Sequence, residues 1–397
     1  MVEASGGKEK RMNLLNSFGF ELPTRIEYGT GVVRILPQVL AGYNLRRILL
    51  VADPGIVGAG LLEAVTKRLA QDGITYALFS EVAANPRDYN VSAGAAVARE
   101  FKADGLVAVG GGSPIDCAKA IAIAATHDGD PRSFEGGRNI SGPVLPLIAI
   151  PTTAGTGSEV TFSAVITDSR ENYKFSIRHT RIGPAVALVD PELTVSMPPD
   201  LTAATGMDAL THAIEAYTAT VAEPLADAVA LYAVELISRY LRTAVENGRN
   251  LEARAGMLTG SLLAGIAFSH ADVAAVHCIA EALGGRYDTP HGVCNAVVLP
   301  AMMRYNLDWC RDKYARIGLA MGLPANDPAA GAENAVAAVE KMARDVGLPD
   351  FASFGADPAD FDTIAEDSVK NGSNGSNPRP MAAADYRTVL NTLHAAG

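Results

Sequence analysis

In the first half of the chain, short runs rich in β-branched residues alternate with longer alanine-rich stretches of helical periodicity. Each apolar run is too short for a helix of ordinary length, and glycine, proline or aspartate bounds it. This alternation is typical of βαβ units, whose strands pair in parallel and whose helices cover the sheet. The sequence therefore predicts an α/β fold with a parallel sheet, built from RRILLVAD (46–53), GLLEAVTKRLAQDG (60–73), TYALFS (75–80), NVSAGAAVAREFKADG (90–105), LVAVGGG (106–112) and PLIAIPTT (146–153).

The pattern changes after DPELTVSMPPD at 190–200. Long helical patterns follow and strand candidates become few. Pro198 and Pro199 mark the boundary, because consecutive prolines disfavour helix and stiffen the chain. We predict an N-terminal extension (1–17), an α/β domain (18–198) and an all-helical domain (199–397), and by its composition we predict that NGSNGSNP (371–378) is a surface loop.

Charge and composition exclude several classes of protein. The 397 residues carry a net charge of -11, whereas broad contact with nucleic acid or anionic membrane starts from clustered lysine and arginine. No apolar run reaches the roughly 18 residues of a membrane span, and the basic stretch GGKEKRM (6–12) precedes no signal-like apolar segment. The cysteines are Cys117, Cys278, Cys294 and Cys310, and they form no CxxC pair. We therefore expect packed thiols and a cytoplasmic location.

A glycine stretch, GLVAVGGGSPIDCAKAIA (105–122), joins an apolar strand to a helix. Gly110, Gly111 and Gly112 let the backbone approach a ligand, and the helix start offers free N–H groups to a pyrophosphate. Ser113 can cap this helix and Pro114 suits its first turn. The stretch is not the GxGxxG fingerprint, and a tight connection without a ligand explains it equally well.

Two further stretches favour a nucleotide site. Asp53 ends the strand ILLVAD, where its carboxylate can accept hydrogen bonds from a ribose diol or can cap the following helix. PTTAGTGSEVT (151–161) follows another strand and carries two glycines and the hydroxyl groups of Thr152, Thr153, Thr156 and Ser158. A polar, pliable loop of this kind suits a nucleotide, although a simple hydroxyl-rich turn has the same composition.

A possible metal site begins in MDALTHAIEAY (207–217). Asp208 and His212 stand four positions apart in a helical pattern, so their side chains lean the same way. Alone, such a pair is better explained as a local hydrogen bond. His277 and His291 lie farther along the chain and, with Asp208 and His212, give one carboxylate and three imidazoles. This set of donors suits zinc, iron, manganese or cobalt and leaves one coordination position open to a substrate oxygen.

Five motifs in order resemble the iron-containing (group III) alcohol dehydrogenase family. They are GGGSPIDCAKA, PTTAGTGSEVT, GMDALTHAIEAY, GIAFSHADVAAVHCIAEALGG and PHGVCNAVVLP, and the resemblance runs from about residue 18 to the end, including NPRPM. It implies a dehydroquinate synthase-like architecture, with a dinucleotide-binding domain, a helical metal-binding catalytic domain and an active site between them. By position, it implies that the metal ligands are Asp208, His212, His277 and His291.

The same resemblance implies that pyrophosphate meets Gly110, Gly111, Gly112 and Ser113, and that Asn85, Thr152, Thr153 and Lys174 lie along the cofactor cleft. Asp53 falls where NAD-preferring members carry an aspartate, so NAD is expected rather than NADP. Fe²⁺ is the expected metal, with Zn²⁺ or another divalent ion as alternatives. The implied reaction is hydride transfer between a small alcohol or aldehyde and the nicotinamide, with the metal as Lewis acid, in a homodimer or higher homo-oligomer.

One position departs from the family pattern. Many members read HxxxH in the third motif, whereas this chain has Glu281 one turn beyond His277. Glu281 is a candidate proton relay, substrate contact or partner of a metal ligand, while His270 is expected to be an ordinary helix-entry residue or a residue at the substrate edge. The alternative functions are a zinc polyol dehydrogenase or lyase on the same fold, and a non-catalytic protein that binds nucleotide or metal.

Overall fold

The computed structural model describes residues 15–171, 173–324 and 327–396, so most of the predicted extension 1–17 lies outside the described residues. Within them, six strands form one parallel sheet in the order β1-β8-β5-β4-β2-β3, and β6 and β7 form a separate antiparallel pair. The strands are β1 (Arg25–Tyr28), β2 (Arg47–Val51), β3 (Thr75–Phe79), β4 (Gly105–Gly110), β5 (Leu147–Pro151), β6 (Ser163–Asp168), β7 (Tyr173–Arg178) and β8 (Val186–Val189).

The parallel sheet has the hydrophobic strands expected of a sheet covered on both faces. Strand β4 is buried along its whole length and pairs with β2 and β5. Helices cross between the strands, and separate hydrophobic clusters fill the two sides of the sheet. The prediction of an α/β fold with a parallel sheet is confirmed.

Helices make up most of the rest. Those of the first half are α1 (Leu36–Gly42), α2 (Pro54–Gly58), α3 (Glu63–Gln71), α4 (Asp88–Phe101) and α5 (Gly112–Ala124). Those of the second half are α6 (Pro199–Thr218), α7 (Pro224–Glu246), α8 (Leu251–Ala271), α9 (Ala275–Tyr287), α10 (His291–Asn306), α11 (Arg311–Ala320), α12 (Pro328–Asp345), α13 (Phe361–Lys370) and α14 (Ala383–Ala396). The second half has no strand among its described residues, which confirms the predicted helical part of the fold.

The helical half is built around α6, which is buried from Thr202 to Thr218 with few exceptions. Helices α7 and α8 pack against it and against each other. Helix α7 begins sharply because Glu223 caps it, accepting hydrogen bonds from the backbone N–H groups of Leu225 at 2.8 Å and Ala226 at 2.7 Å. The polar residues of α6 therefore lie deep inside the protein.

Two glycines allow the two halves to approach closely. Gly157, with φ +59°, lies in the loop after β5, and a Cβ there would be 2.6 Å from the Cα of Gly265 in α8. A Cβ on Gly265 would in turn lie 2.8 Å from the carbonyl oxygen of Gly157. Backbone atoms cannot move away as a flexible side chain can, so both positions require glycine. This contact sets the loop after β5 against the helical half.

Among the described residues, no helix by itself is both long and apolar enough to cross a membrane. Helices α8 and α9 meet those limits only as a pair, and their axes meet at 101°. Most of α8 is buried in the helical core.

Candidate metal centre and cofactor cleft

The structure brings together the four side chains that were predicted from the sequence to bind a metal. Helix α6 carries Asp208 and His212 one turn apart, α9 carries His277, and His291 is the first residue of α10. One donor atom from each lies within 4.8 Å of the other three. His291 is partly buried and the others are buried, so the four groups converge in the interior at the edge of a cavity.

Burial keeps two of the imidazoles neutral. It lowers the pKa of His212 to about 4 and the pKa of His291 to about 3. Burial also opposes ionisation of Asp208, but the neighbouring histidines and a hydrogen bond from Asn295 lower its pKa below the usual value. At neutral pH these groups therefore offer one carboxylate and the lone pairs of two imidazoles, the donor form that a divalent transition metal requires.

Glu215, which the sequence analysis did not single out, fixes the orientation of His277. Its Oε2 lies 2.5 Å from Nδ1 of His277, and its Oε1 accepts the backbone N–H of Val276 at 2.7 Å. With Nδ1 paired to the carboxylate, Nε2 of His277 points to the cluster and lies 3.0 Å from Nε2 of His212. Carboxylates hold metal-binding histidines in this way, and the i+3 spacing of Glu215 from His212 on α6 would have been the signal.

Asn295, also missed, lies at the centre of the cluster. Its Nδ2 is 2.7 Å from Oδ1 of Asp208, 3.0 Å from Nε2 of His277 and 3.1 Å from Nε2 of His291. Three acceptors thus face one positively polarised group, as they would face a cation. This arrangement, together with the nitrogen and oxygen donor set, fits a divalent transition metal. The spacing of four residues between His291 and Asn295 places both on one face of α10.

A cavity of about 500 Å³ extends from the histidines across the space between the two halves. His212, His277 and His291 line one end, and Phe268 stacks on His212 with ring centroids 4.4 Å apart. Gly112 and Ser113 at the start of α5 line the same cavity. The candidate metal site and the glycine turn therefore open onto one cleft, of a size that can hold a ligand larger than a small alcohol.

Asn85 and Lys174 meet in this cleft although they are far apart in the sequence. Nζ of Lys174 donates to Oδ1 of Asn85 at 2.9 Å, and Nδ2 of Asn85 donates to Asp288 at 2.8 Å. Burial lowers the pKa of Lys174, and the nearby carboxylate of Glu281 opposes this effect. Both predicted cofactor residues line the cavity and together form a polar wall.

The glycine turn is shaped by close packing. Gly110 has φ +152°, and a Cβ there would lie 2.6 Å from the Pro114 ring. A Cβ on Gly111 would lie 2.9 Å from Oγ1 of Thr153, and Thr152 beside it is buried. Neither threonine lines the cavity as Gly112 does. The two threonines therefore lie next to the glycine turn but outside the lining of the cavity.

Two details of the predicted turn and its cap are resolved by the structure. Ser113 does not cap α5: the helix already begins at Gly112, and the Ser113 hydroxyl donates instead to the carbonyl of Ala84. Asp53 does cap α2, since its Oδ1 accepts the N–H of Ile56 at 2.9 Å. The capping alternative for Asp53 is thus observed, and it leaves the carboxylate half-buried just beyond the end of β2.

A buried lysine joins the glycine helix to the hydroxyl-rich loop. Nζ of Lys119 donates to Oγ of Ser158 at 3.0 Å, to Oγ1 of Thr161 at 2.8 Å and to the carbonyl of Ser163 at 2.7 Å. Asp116 lies 3.3 Å from the ammonium and compensates its charge. Two of the hydroxyl side chains of PTTAGTGSEVT, Ser158 and Thr161, therefore hold the Lys119 ammonium, a structural role that the sequence did not indicate.

Glu281 lines the cavity on the same face of α9 as His277. Its Oε2 accepts a hydrogen bond from Nδ2 of Asn371 at 2.6 Å. Burial raises the pKa of Glu281, while His277, Lys174 and the Asn371 amide act in the opposite direction. Asn371 belongs to the stretch predicted as a surface loop, and that prediction holds only in part, since Gly372 and Gly375 are exposed but other residues of the stretch are buried. The stretch forms a tight 3-10 turn, Gly372–Ser376, that lines the cavity, and Ser376 and Asn377 are buried.

His270 does not join the metal cluster. It lies in the last turn of α8, its Nε2 is 2.9 Å from the carbonyl of Glu21, and its ring stacks on Phe20 with centroids 3.9 Å apart. Its contacts are structural, but it lies at the end of a helix and not at a helix entry as expected. The four cysteines are buried free thiols.

A parallel sheet and a cavity that joins the glycine turn to a carboxylate and three imidazoles are features of nucleotide-dependent metal enzymes. Residues 23–191 match the family described as iron-containing alcohol dehydrogenase, and residues 202–396 match the C-terminal part of the same family. The chain belongs to the iron-containing alcohol dehydrogenase family, and it is an oxidoreductase. The family resemblance in the motifs is confirmed.

Individual relatives agree over nearly the whole chain. The 1,3-propanediol dehydrogenase of Klebsiella pneumoniae is 43% identical over 367 residues, which cover 91% of this chain and 95% of that protein. The NAD-dependent methanol dehydrogenase of Bacillus methanolicus is 38% identical over 374 residues, 94% of this chain and 98% of that protein. A crystal structure of 1,3-propanediol oxidoreductase superposes with a TM-score of 0.93 at 41% identity, covering 95% of this chain and all of that one.

The contact between Glu215 and His277 generates a prediction about metal affinity. Glu215→Gln keeps the size of the side chain but replaces the carboxylate beside Nδ1 of His277 by a neutral amide. We expect Fe²⁺ affinity to fall by about 10- to 100-fold, as losses of such partners do. Competition with a chelator measures the dissociation constant directly.

Glu223→Gln is the matched control, because Glu223 is a buried glutamate that contacts backbone N–H groups and no imidazole. Its affinity for Fe²⁺ should equal that of the wild type. Equal affinities for Glu215→Gln and the wild type would show that Glu215 does not orient a metal ligand.

Proposed function

We propose that this enzyme uses Fe²⁺ and NAD to interconvert a small alcohol and its aldehyde by hydride transfer. The observation that carries the proposal is the shared cavity, onto which the three histidines and the helix start at Gly112 both open. A metal and a nicotinamide dinucleotide bound at these two places would be next to each other. Hydride transfer requires this proximity of an activated alcohol and the cofactor.

In the proposed metal site, Asp208, His212, His277 and His291 hold the ion. A divalent ion bound there would act as a Lewis acid toward a carbinol or carbonyl oxygen. The chain itself keeps His212 and His291 neutral by burial and keeps Nε2 of His277 directed inward through Glu215. Zn²⁺ is the alternative ion, because imidazole and carboxylate donors suit both metals.

In the proposed cofactor site, N–H groups at the start of α5 receive the pyrophosphate. Supporting residues from neighbouring segments would complete the site: Asp53, Asn85, Gly110, Gly111, Gly112, Ser113, Thr152, Thr153 and Lys174. The carboxylate of Asp53 beyond β2 would accept from the ribose hydroxyls, which favours NAD over NADP. We further propose that this cofactor domain spans 18–198 and the catalytic helical domain 199–397, a division supported by the start of α6 at Pro199.

The proposed substrate class follows from the cavity and from the relatives. Polar groups, including Lys174, Glu281 and Asn371, line the metal end together with Phe268, so a short alcohol or diol fits better than a long aliphatic chain. The relatives named above act on methanol and 1,3-propanediol by their names. We propose a cytoplasmic location, supported by the free buried thiols, and neither nucleic acid nor membrane as partner, supported by the acidic net charge. We also propose a homodimer or larger homo-oligomer, which the family resemblance implies.

The proposal is tested with the purified protein loaded with Fe²⁺ under exclusion of oxygen. It is mixed with NAD and a panel of short alcohols and diols, and with NADH and the matching aldehydes, while absorbance in the NADH band is followed. We expect turnover in both directions that is lost after chelation and restored by Fe²⁺. Absence of turnover with every alcohol and aldehyde would contradict the proposal.

Cofactor preference tests Asp53. A carboxylate close to the ribose repels the 2′-phosphate of NADP, so the wild type should have a higher kcat/KM with NAD, and Asp53→Gly should narrow or reverse this ratio. The substitution also removes the cap of α2, but glycine at a cap costs only about a few tenths of a kcal/mol. An unchanged Tm would therefore separate recognition from stability. If the wild type already prefers NADP, Asp53 does not select the cofactor and only caps α2.

Glu281 is proposed as a proton relay at the metal end of the cavity. Glu281→Gln keeps the shape and the hydrogen-bonding reach toward Asn371 but cannot ionise, so kcat should fall by about 100-fold and the acidic limb of the pH profile should change. Because burial raises its pKa, the ionised form is lost as pH falls through a value above the usual range for glutamate.

The matched control is Glu252→Gln, which changes an exposed glutamate in the first turn of α8. It should leave kcat and the pH profile unchanged. Glu281→His introduces the residue that many family members carry and should shift the range of alcohols. If Glu281→Gln keeps the kcat, KM, pH profile and metal content of the wild type, then Glu281 has no part in proton transfer.

A further inference from the structure

The corner between α8 and α9 contains an unusual backbone conformation. Asp272 follows the last residue of α8 with φ +65° and ψ 173°, a region that is occupied almost only by glycine. The corner turns the chain through 101° just before the helix that carries His277. A residue with a side chain persists in this region only where its surroundings hold it there.

The surroundings of Asp272 are contacts of its carboxylate with three separate segments. Oδ1 accepts the hydroxyl of Ser373 at 2.9 Å, and Oδ2 accepts the hydroxyl of Ser376 at 2.8 Å. Oδ1 also accepts the N–H of Val273 at 2.9 Å and lies 3.6 Å from the Arg178 guanidinium of β7. One side chain thus connects the helix corner, the antiparallel strand pair and the Gly372–Ser376 turn.

The turn held by Asp272 presents Asn371 to the metal end of the cavity. Oδ1 of Asn371 accepts the N–H of Ser373 at 3.0 Å, and its Nδ2 donates to Glu281 at 2.6 Å. On the other side, the Ser376 carbonyl accepts the N–H of Thr220 at 2.9 Å. Asp272, Asn371 and Ser373 all line the cavity that contains the histidines. The position of the turn therefore determines the shape of the cavity wall beside Glu281.

We infer that Asp272 is a positioning residue for alcohol binding, which fixes the 371–376 turn and through it Asn371 and Glu281. This inference rests on the proposed function, because it assigns the substrate to the metal end of the cavity. A glycine would suit the backbone of residue 272 better than aspartate does. The carboxylate, and not the backbone conformation, is the reason for an aspartate at the corner.

The role of Asp272 is separable from metal binding. His277 is held by a different carboxylate, since Glu215 contacts both its Nδ1 and the N–H of Val276. Asp208 and His212 lie on α6, and His291 on α10. Loss of the Asp272 carboxylate should therefore loosen the turn and weaken alcohol binding, while metal content and the KM for NAD stay as in the wild type.

Asp272→Gly is the decisive substitution, because it removes the carboxylate and relieves the backbone at once. We expect hydrogen exchange of the 371–376 amides to accelerate at least about tenfold, as local opening becomes easier, and the KM for alcohol to rise about tenfold through lost positioning. Asp272→Asn keeps one acceptor oxygen and should restore part of both losses. Asn44→Gly is the control, since Asn44 is exposed and also has a positive φ, of 57°, and it should change neither quantity.

A second variant keeps the test independent of the backbone at residue 272. Replacing Ser373 and Ser376 together by alanine removes the hydroxyls that contact Asp272 and should reproduce the faster exchange and the higher KM for alcohol. Wild-type exchange and KM in Asp272→Gly, or in the double alanine variant should Asp272→Gly not fold, would overturn the inference. If the wild type turns over no alcohol, the proposed function fails, and the exchange rates alone then decide whether Asp272 holds the turn.

Discussion

The burial of one carboxylate and three imidazoles against one another is the constraint on which the rest of the structure depends. Asp208, His212 and His277 are withdrawn from water, and their donor atoms face each other. Such a group of acceptors is costly in a protein interior unless a cation or a polarised donor lies among them. In this structure the amide of Asn295 lies among them, and the same position suits a divalent metal.

This constraint explains the arrangement of the helices around the site. The donors come from α6, α9 and the first turn of α10, so those helices must converge on one point. The sharp corner at Asp272 directs α9 toward α6, and Glu215 attaches the start of α9 to α6 through Val276 and His277. On the other side, the contact between Gly157 and Gly265 holds the loop after β5 against α8. The candidate metal site and the glycine turn thus open onto one cleft.

Much of this could be predicted from the sequence, because its signals are local. The alternation of short strands and helices indicates a parallel sheet, and the spacing of Asp208 and His212 places both on one face of a helix. The glycine stretch indicates a strand followed by a ligand-binding helix start. The order of five motifs identified the family, and the resemblance implies the same four ligands that the donor set had suggested, His277 and His291 included. None of these depends on how far apart the segments lie in the fold.

The features that could not be predicted depend on contacts between segments far apart in sequence. Glu215 contacts His277 from 62 residues away, and Lys119 reaches Ser158 from 39 residues away. Neither pair has a spacing that periodicity can detect. The stretch NGSNGSNP has the composition of an exposed loop, yet Asp272 and Thr220 hold its serines in place and its first residue lines the cavity. Composition describes what a segment prefers alone, and here the surrounding protein decides its conformation.

Asp208, His212, His277 and His291 are proposed to bind one divalent metal at the end of the cavity. X-ray diffraction from crystals of the Fe²⁺-loaded protein, collected on both sides of the iron absorption edge, tests it most directly. The predicted result is a single anomalous peak bound by Asp208, His212, His277 and His291, with metal–ligand distances of about 2.0 to 2.3 Å. A peak elsewhere in the protein, or full alcohol turnover by crystals that show no peak among these residues, would contradict it.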